Sequence, residues 1–347
     1  MKLLVLGGTR FLGRHLVDAA LARGHAVTVF TRGRVPAPWD GARVMALTGD
    51  RDPRVGAGLD ALAGGTWDAV VDTSGYVPRV VDASAALLAD CAARYLFVSS
   101  VSVYADSSRP GIDESAAVLA LADPATEEVL PNYGALKAAC ERVVEARFGA
   151  RATFVRPGLI VGPHDATDRF GYWVARFVHP HLLGDRPPEA VVPAPPAAPI
   201  QVIDARDLAA WMLDLCERDA GGTFNAVSPA GTWTMGALVD TLGAASQAPP
   251  RPAWIDDKTL LEHKVEPWVG LPLWLPASEP DSAGFMAVDG ARAQAAGLAV
   301  RPLAATVADT AGWLAERDNA GAWKHVLSAA AERAVLAAPR RAFIAGR

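Results

Sequence analysis

The chain has 347 residues, of which 51% are hydrophobic, and its 33 basic and 38 acidic side chains give a formal net charge of −5. This acidic balance disfavours a nucleic-acid-binding protein, because affinity for a phosphate backbone requires clustered Lys and Arg. No apolar stretch approaches the roughly 20 residues of a membrane span, and the three cysteines lack the spacing of a metal site. We therefore expect a cytoplasmic protein with no nucleic-acid partner, no membrane partner and no metal.

Apolar runs alternate with helical patterns over the first part of the chain. Six of these runs are predicted as strands: Lys2–Leu6, Ala26–Thr31, Arg43–Leu47, Ala69–Asp72, Tyr95–Ser99 and Thr153–Val155. Between the first two runs, apolar side chains recur at helical spacing. The alternation indicates βαβ units, and we predict an α/β fold whose residues 1–165 form a doubly wound parallel Rossmann sheet.

The pattern changes after about residue 165. Prolines are frequent in Pro187–Pro199, which cannot form a regular helix and is predicted as an exposed loop or an edge segment. We predict a smaller C-terminal α/β substrate domain at residues 166–325, with segments near 200–230 that return to the first domain. Residues 326–347 are predicted as a C-terminal helix and tail.

A glycine-rich turn follows the first predicted strand and leads directly into a helical pattern. Its residues are Gly7, Gly8, Thr9, Arg10, Phe11, Leu12 and Gly13. Glycines let the backbone approach a pyrophosphate, and the start of the following helix offers free N–H groups. The turn therefore predicts a dinucleotide site. Arg10 stands at the middle glycine position of the motif, where it either swings out to pair with a cofactor phosphate or weakens binding.

The ends of the next predicted strands bear on which dinucleotide binds. NAD sites usually place Asp or Glu at the end of the second strand, whereas Arg32 at this point can accommodate a 2′-phosphate. With Arg10 nearby, we expect NADP(H) to be favoured over NAD(H). Asp50 ends the third strand and is predicted to accept a hydrogen bond from the adenine amino group. Three small residues after the fourth strand are predicted to lie along the cofactor ribose: Thr73, Ser74 and Gly75.

Hydroxyl groups end the fifth predicted strand, and a Tyr–Lys pair follows further along the chain. Tyr133 and Lys137 are four residues apart and would share one face of a helix. A neighbouring ammonium and a nicotinamide cation would lower the pKa of Tyr133, which could then exchange a proton with a substrate oxygen near neutral pH. Lys137 would also hold ribose hydroxyls, and Ser100 would orient the same substrate oxygen. We predict Ser100, Tyr133 and Lys137 as the catalytic set.

Several motifs together resemble the extended short-chain dehydrogenase/reductases, the group of the NAD-dependent epimerases and dehydratases. The segments that carry the resemblance are Ser99–Tyr104, Tyr133 with Lys137, Arg156–Pro163, Val202–Leu208 and Gly222–Asn225. The resemblance implies that the backbone at Pro157 and Gly158 lies by the nicotinamide. It also implies a homodimer formed through the helix of Tyr133 and its neighbour. The glycine turn itself is similar to an atypical branch that includes chloroplast stem-loop RNA-binding proteins.

The same resemblance bears on the type of reaction. Val101 and Ser102 stand where the sugar-nucleotide 4,6-dehydratases carry Asp-Glu, so elimination chemistry of that type is not expected. Our leading hypothesis is a reductase or dehydrogenase that uses exchangeable NADP(H) on a ketone, aldehyde or alcohol of a small polar substrate. The alternatives are a nucleotide-sugar epimerase with retained NAD+ and a non-catalytic dinucleotide-sensing or RNA-binding protein.

Substrate contacts are predicted from residues near the catalytic set and after the sixth strand. The predicted substrate residues are Tyr76, Ser102, His164, Asp168, Arg169 and Tyr172. For the last four, an inter-domain ion-pair network is the alternative, and for Tyr76 the alternative is core packing. Trp268 and Trp274 lie in a proline-rich loop and are predicted to cover the core rather than to form a lid.

Overall fold

The computed structural model describes residues 1–279, 282–317 and 323–339 of the chain. Its strands are β1 (Lys2–Leu6), β2 (Ala26–Thr31), β3 (Val44–Thr48), β4 (Trp67–Asp72), β5 (Ala92–Val98), β6 (Ala152–Pro157), β7 (Leu159–Val161), β8 (Glu189–Pro193), β9 (Pro199–Ile200), β10 (Val202–Asp204), β11 (Gly222–Ala226), β12 (Trp233–Thr234) and β13 (Arg251–Ile255). Its helices are α1 (Phe11–Ala22), α2 (Pro78–Leu88), α3 (Val129–Phe148), α4 (Arg169–Val178), α5 (Ala205–Glu217), α6 (Met235–Ala244), α7 (Asp257–Glu262), α8 (Ala291–Ala295), α9 (Leu303–Glu316) and α10 (Ala329–Ala337).

The main sheet consists of seven parallel strands in the order β11-β6-β5-β4-β1-β2-β3. The central strands read as almost unbroken apolar runs because helices cover both faces of the sheet. The predicted α/β fold with a doubly wound parallel sheet is therefore confirmed. The strand order reverses between β1 and β4, and at such a point the loops of neighbouring strands separate and leave a crevice.

Two helix pairs cover the two faces of this sheet. The apolar sides of α1 and α5 pack on one face, where Leu16, Met212 and Val5 of the central strand belong to one buried cluster. The apolar sides of α2 and α3 pack on the other face, where Val81 and Val144 belong to one buried cluster. Each helix has an apolar stripe at helical spacing. Because this stripe packs against the sheet, it determines which side of α3 faces the core.

The chain leaves the sheet after β7 and builds a second apolar core before it returns. This second core contains side chains of α4, α6, α7, α9 and α10 and of the parallel pair β8 and β13. The return brings α5 onto α1 and places β11 at the edge of the main sheet. The proline-rich run was predicted as an exposed loop or an edge segment, and its exposure is corrected: Ala190, Val191 and Val192 of β8 are fully buried, because β13 pairs with them.

A buried carboxylate attaches the C-terminal helix to the second core. Glu332 of α10 is 0% exposed and accepts hydrogen bonds from Nε of Arg176 at 3.0 Å and from Arg186 at 3.2 Å. The predicted C-terminal helix is thus present as α10, while residues 340–347 of the predicted tail lie outside the described residues. In the described segments, no helix combines the length and the hydropathy that a membrane span requires.

Candidate functional site

A cleft of about 750 Å³ opens at the carboxyl ends of the main-sheet strands, and we call it the central cleft. It lies at the reversal of strand order between β1 and β4, where open parallel sheets bind their ligands. Its lining includes most residues predicted for the cofactor and the chemistry: Gly7–Gly13, Arg32, Asp50, Thr73, Ser74, Ser100, Tyr133, Lys137, Pro157 and Gly158. The fold therefore brings together residues that are widely separated in the sequence.

The glycine turn between β1 and α1 forms one wall of the central cleft. Gly7 and Gly8 have φ values of 104° and 101°, which side-chain-bearing residues rarely adopt. A Cβ atom on Gly7 would lie 2.5 Å from Oγ1 of Thr73, and one on Gly13 would lie 2.7 Å from the Cα of Gly8. The helix then starts at Phe11 without a side chain to cap its first N–H groups. An anion could accept those hydrogen bonds, so the turn fits the diphosphate of a dinucleotide.

Three arginines line the cleft beside the end of β2. The side chains of Arg10, Arg32 and Arg34 are all exposed, so Arg10 points outward from the turn. None of the three has an ion-pair partner in the part of the chain that the structure describes. Asp50 also lines the cleft, and its Oδ1 accepts a hydrogen bond from the backbone of Asp52 at 2.9 Å. This end of the cleft can therefore offer guanidinium groups to a further phosphate.

Small side chains after β4 form the floor of the cleft. The hydroxyls of Thr73 and Ser74 each donate a hydrogen bond to the carbonyl of Leu6 at 3.1 Å, which ties this turn to β1. Gly75 requires a correction, because it is buried and does not line the cleft. A Cβ atom at this position would lie 2.5 Å from the ring of Phe97. Gly75 thus serves close packing behind the cleft rather than the predicted contact along it.

The hydroxyls of the predicted catalytic set lie close together in the cleft. Strands β1 and β4 separate them from Arg32. Ser100 follows β5 and is 8% exposed, and its Oγ donates a hydrogen bond to Oγ of Ser102 at 3.1 Å. The same Oγ accepts a hydrogen bond from the backbone N–H of Ser102 at 3.1 Å. Tyr133 lies in the first part of α3 and hydrogen-bonds with Ser100. Two hydroxyls therefore converge at one point of the cleft wall.

Lys137 lies one turn beyond Tyr133 but reaches in a different direction from the one predicted. Its Nζ donates hydrogen bonds to the carbonyls of Gly75 at 2.7 Å and Val98 at 2.6 Å. The ammonium also lies 4.3 Å from the ring centre of Phe97 and 5.1 Å from that of Tyr76. Burial lowers the pKa of Lys137 to about 8. Lys137 therefore ties the ends of β4 and β5 to α3.

The pKa of Tyr133 differs from the expectation for a phenol beside an ammonium. Burial raises it to about 12, and the hydrogen bond with Ser100 and the charge of Arg169 lower it only in part. The chain alone thus does not produce the predicted lowering, since the Lys137 ammonium is directed at two backbone carbonyls. A protonated Tyr133 hydroxyl at neutral pH is a proton donor rather than an acceptor.

Arg51 is a cleft residue that the sequence analysis missed. Its two terminal nitrogens donate to the two oxygens of Asp72 at 2.6 and 2.7 Å, and one also donates to Ser84 at 2.7 Å. Asp72 is 0% exposed and accepts a further hydrogen bond from the hydroxyl of Tyr95 at 2.9 Å. Asp72 could have indicated this ion pair in the sequence, because a carboxylate at the end of a buried apolar strand requires a cation.

Three of the predicted substrate residues lie at or beside the catalytic hydroxyls. Tyr76 lines the central cleft, and its ring centre lies 6.3 Å from that of Tyr133. Ser102 shares a hydrogen bond with Ser100. The charge of Arg169 acts on Tyr133, as the mutual influence of the two groups on their pKa values shows. Of the three, Tyr76 belongs to the cleft lining, Ser102 touches a catalytic hydroxyl and Arg169 lies within electrostatic range of one.

Tyr172 and Asp168 lie elsewhere, which corrects their prediction as substrate contacts. Tyr172 is 0% exposed within the second core, because the apolar face of α4 turns it inward. Asp168 is 2% exposed, pairs with Arg317 at 2.6 Å and accepts a hydrogen bond from the backbone of Lys324 at 3.0 Å. For Asp168, the structure thus agrees with the alternative of a structural ion pair.

His164 also lies away from the catalytic hydroxyls, which corrects its prediction as a substrate contact. Its ring is 5.6 Å from the rings of both His15 on α1 and Trp313 on α9. Burial and the positive charge of Arg14 lower the pKa of His164 to about 4. His164 therefore packs between two helices as a neutral ring.

Comparison with known sequences connects this geometry to other proteins. A model described as the NAD dependent epimerase/dehydratase family matches residues 3–226. The chloroplast stem-loop binding protein of 41 kDa b of Arabidopsis thaliana is 30% identical over 175 residues, 47% of this chain and 43% of that protein. A 2-alkyl-3-oxoalkanoate reductase of Stenotrophomonas maltophilia is 32% identical over 188 residues, 48% of this chain and 52% of that protein. The chain spans about half the length of these curated relatives.

Solved structures share the fold over almost the whole chain. The human epimerase family protein SDR39U1, solved with NADPH, has a TM-score of 0.59 at 21% identity and covers 90% of this chain and 99% of its own. The UDP-glucuronic acid 4-epimerase of Bacillus cereus, solved with NAD, has a TM-score of 0.62 at 14% identity, with 91% and 99% covered. At these identities the likeness establishes a common fold.

Proposed function

Because the chain belongs to the NAD-dependent epimerase/dehydratase family, we propose that it is a reductase of the short-chain dehydrogenase/reductase type that acts on a carbonyl of a small polar substrate. One observation carries this proposal: a glycine turn that fits a diphosphate and the hydroxyls of Ser100 and Tyr133 line the same cleft. A nicotinamide dinucleotide bound there would supply the hydride. The similarity to a 2-alkyl-3-oxoalkanoate reductase supports this reaction class.

The side chains of the cleft divide the remaining work. Tyr133 donates its hydroxyl proton to the carbonyl oxygen as that oxygen becomes a hydroxyl, and its raised pKa keeps this proton in place at neutral pH. Ser100 hydrogen-bonds the same oxygen and orients it. Lys137 keeps α3 against the ends of β4 and β5, which holds Tyr133 in the cleft wall.

NADP(H) is the favoured cofactor in this proposal. Arg10, Arg32 and Arg34 line the cleft beside the end of β2, where a 2′-phosphate is expected. Their guanidinium groups have no acidic partner within the described ranges, and the first carboxylate after β2 in the sequence is Asp40. The NADPH complex of a protein with the same fold is compatible with this preference.

Dinucleotide binding tests the proposal first. Mass spectrometry of cofactor released from the purified chain, before and after dialysis, would identify the dinucleotide, and a fluorescence titration would compare NADPH with NADH. We expect reversible binding with a preference for NADPH. Failure to bind either dinucleotide would refute the proposal.

A matched pair of tyrosine variants tests the assigned proton donor. Tyr133→Phe is expected to lower reduction of a panel of ketones, aldehydes and oxo acids by about 10²–10⁴-fold, the usual contribution of a positioned acid. Tyr172→Phe is the control, since the Tyr172 hydroxyl is buried without a hydrogen-bond partner in the described structure. Full turnover by Tyr133→Phe would show that another group donates the proton.

Two alternatives predict different results in the same experiments. A nucleotide-sugar epimerase would retain NAD+ through dialysis. The fold shared with a UDP-glucuronic acid 4-epimerase is the reason to test for this outcome. A non-catalytic RNA-binding protein would bind a stem-loop RNA and lack dinucleotide-dependent turnover; the name of the Arabidopsis relative includes stem-loop binding. The homodimer stays a prediction, which light scattering of the purified chain would test.

A further inference from the structure

Arg169 is a partly buried arginine that forms no ion pair among the residues that the structure describes. It is the first residue of α4, and its guanidinium lies 5.9 Å from the ring centre of Trp268. Its charge and the Tyr133 hydroxyl influence each other's pKa, so the two groups lie within electrostatic range of each other. A substrate that extends from Tyr133 into this range would meet the charge of Arg169.

A neutral histidine orients this guanidinium. Nδ1 of His325 lies 2.6 Å from the carbonyl oxygen of Thr167. This nitrogen therefore carries a hydrogen and donates a hydrogen bond to that carbonyl. Nε2 of the same neutral ring then accepts a hydrogen bond from Arg169 at 3.1 Å. The anchoring of α10 through Glu332 holds the segment that contains His325. His325 thus directs Arg169 without neutralising its charge.

Several buried arginines have a carboxylate partner that Arg169 lacks: Arg51 pairs with Asp72, Arg156 with Glu141 and Arg176 with Glu332. Arg169 forms no ion pair within the described ranges, and its Nε is buried without a hydrogen-bond partner.

The nearest acid does not supply the missing partner. Asp165 is 2% exposed, and its two oxygens accept hydrogen bonds from the backbone N–H of Thr167 at 2.8 Å and from its hydroxyl at 2.9 Å. Burial lowers the pKa of Arg169, which shows that its positive charge is poorly solvated. A partly desolvated cation with a free donor is a receptor for an anion.

We propose that Arg169 binds an anionic group of the substrate, a carboxylate or a phosphate, beside the carbonyl that Tyr133 protonates. The planar fork of an arginine matches both groups with two parallel hydrogen bonds. The inference rests on the proposed function, because that function places the substrate at Tyr133. It assigns the substrate to the oxo acids or the phosphorylated carbonyl compounds.

The experiment titrates the full chain with malonate or inorganic phosphate at constant ionic strength. NADPH is present at saturation, so that Arg10, Arg32 and Arg34 are shielded from the probes. The thermal unfolding midpoint is measured for wild type, Arg169→Gln, Arg169→Lys and the control Arg142→Gln, whose side chain lies exposed on α3. Ligand binding to the folded state raises this midpoint in a saturable manner.

We expect a saturable rise for wild type and Arg142→Gln, an apparent affinity at least about tenfold weaker for Arg169→Gln, and partial recovery for Arg169→Lys. A response to malonate alone identifies a carboxylate site, and a response to phosphate alone identifies a phosphate site. The inference is overturned if wild type shows no saturable rise with either probe, or if Arg169→Gln responds like wild type.

Failure of the proposed function gives a separate signal. In that case NADPH itself does not bind to wild type, and the probe titration is repeated in an Arg32→Gln background, where the cation at the end of β2 is absent. A rise that still depends on Arg169 there supports the anion site independently of the dinucleotide.

Discussion

The carbonyl oxygen of Ser102 lies only 2.0 Å from the point that a Cβ atom on Gly134 would occupy. Helix α3 can therefore approach the turn after β5 only because residue 134 has no side chain. This approach brings the preceding residue, Tyr133, within hydrogen-bonding reach of Ser100. The glycine beside the catalytic tyrosine is thus part of the geometry of the site.

Substitution of this glycine is predicted to be harmful although it lies within a helix. Gly134→Ala should lower the free energy of unfolding and move Tyr133 away from Ser100, because the new methyl group displaces α3 from a rigid backbone carbonyl. Helix propensity alone would predict a gain of about 1 kcal/mol. Urea denaturation, together with NADPH-dependent turnover, measures both effects.

Gly312→Ala in α9 is the matched control. A Cβ atom on Gly312 meets nothing within 4 Å, so this variant should gain roughly 0.5–1 kcal/mol of stability and keep its activity. Equal behaviour of the two variants would contradict the steric argument.

Cofactor preference should depend on the charge of Arg32. Arg32→Glu is expected to weaken NADPH binding by about 10- to 100-fold, which corresponds to the loss of one hydrogen bond to a charged group, and to spare NADH. Fluorescence titration of both dinucleotides measures the ratio. Arg142→Glu makes the same charge change on the exposed side of α3 and should leave the ratio unchanged. An equal loss for both dinucleotides would count against a 2′-phosphate contact at Arg32.

The buried pair of Arg51 and Asp72 should be strongly coupled. Arg51→Met leaves the 0% exposed carboxylate of Asp72 without its cation and should cost about 3–5 kcal/mol of unfolding free energy. Asp72→Asn should also destabilise the chain, whereas the double variant should lose clearly less than the two single losses together. Urea denaturation of the four proteins completes the cycle, and simple additivity would show that the pair is not coupled.

Acid stability should depend on His164. Its pKa falls from 6.5 to about 4 in the folded chain, so the unfolded chain binds more protons in this range. The free energy of unfolding should therefore decrease as pH falls from about 6.5 to about 4. His164→Asn should reduce this slope, since asparagine tolerates the φ of 68° at this position and does not titrate. Identical slopes for wild type and variant would assign the acid sensitivity to other groups.

Local patterns in the sequence were sufficient for the sheet and for most of the cleft lining. The turn from Gly7 to Gly13 needs only short-range geometry, namely a strand end, glycines and a helix start. Asp50, Ser74 and Ser100 each follow a strand end, and parallel strands bring all their carboxyl ends to one edge of the sheet. Residues at strand ends could therefore be assigned to one site without any knowledge of their contacts.

Contacts between distant segments were decided by the tertiary structure alone. The sequence placed Lys137 beside Tyr133, but only packing shows that its ammonium is directed to the carbonyls of Gly75 and Val98. The ion pair of Arg51 likewise depends on how closely the loop after β3 approaches the end of β4.

The substrate side shows the same division. The sequence by itself determined that four polar or aromatic residues follow the sixth strand. From the sequence alone, all four were predicted as substrate contacts. The tertiary structure separated them, since Tyr172 turns into the second core while Arg169 is only partly buried and hydrogen-bonds with His325. Burial and charge balance are sums over neighbours that arrive from several segments, and a linear pattern does not contain those sums.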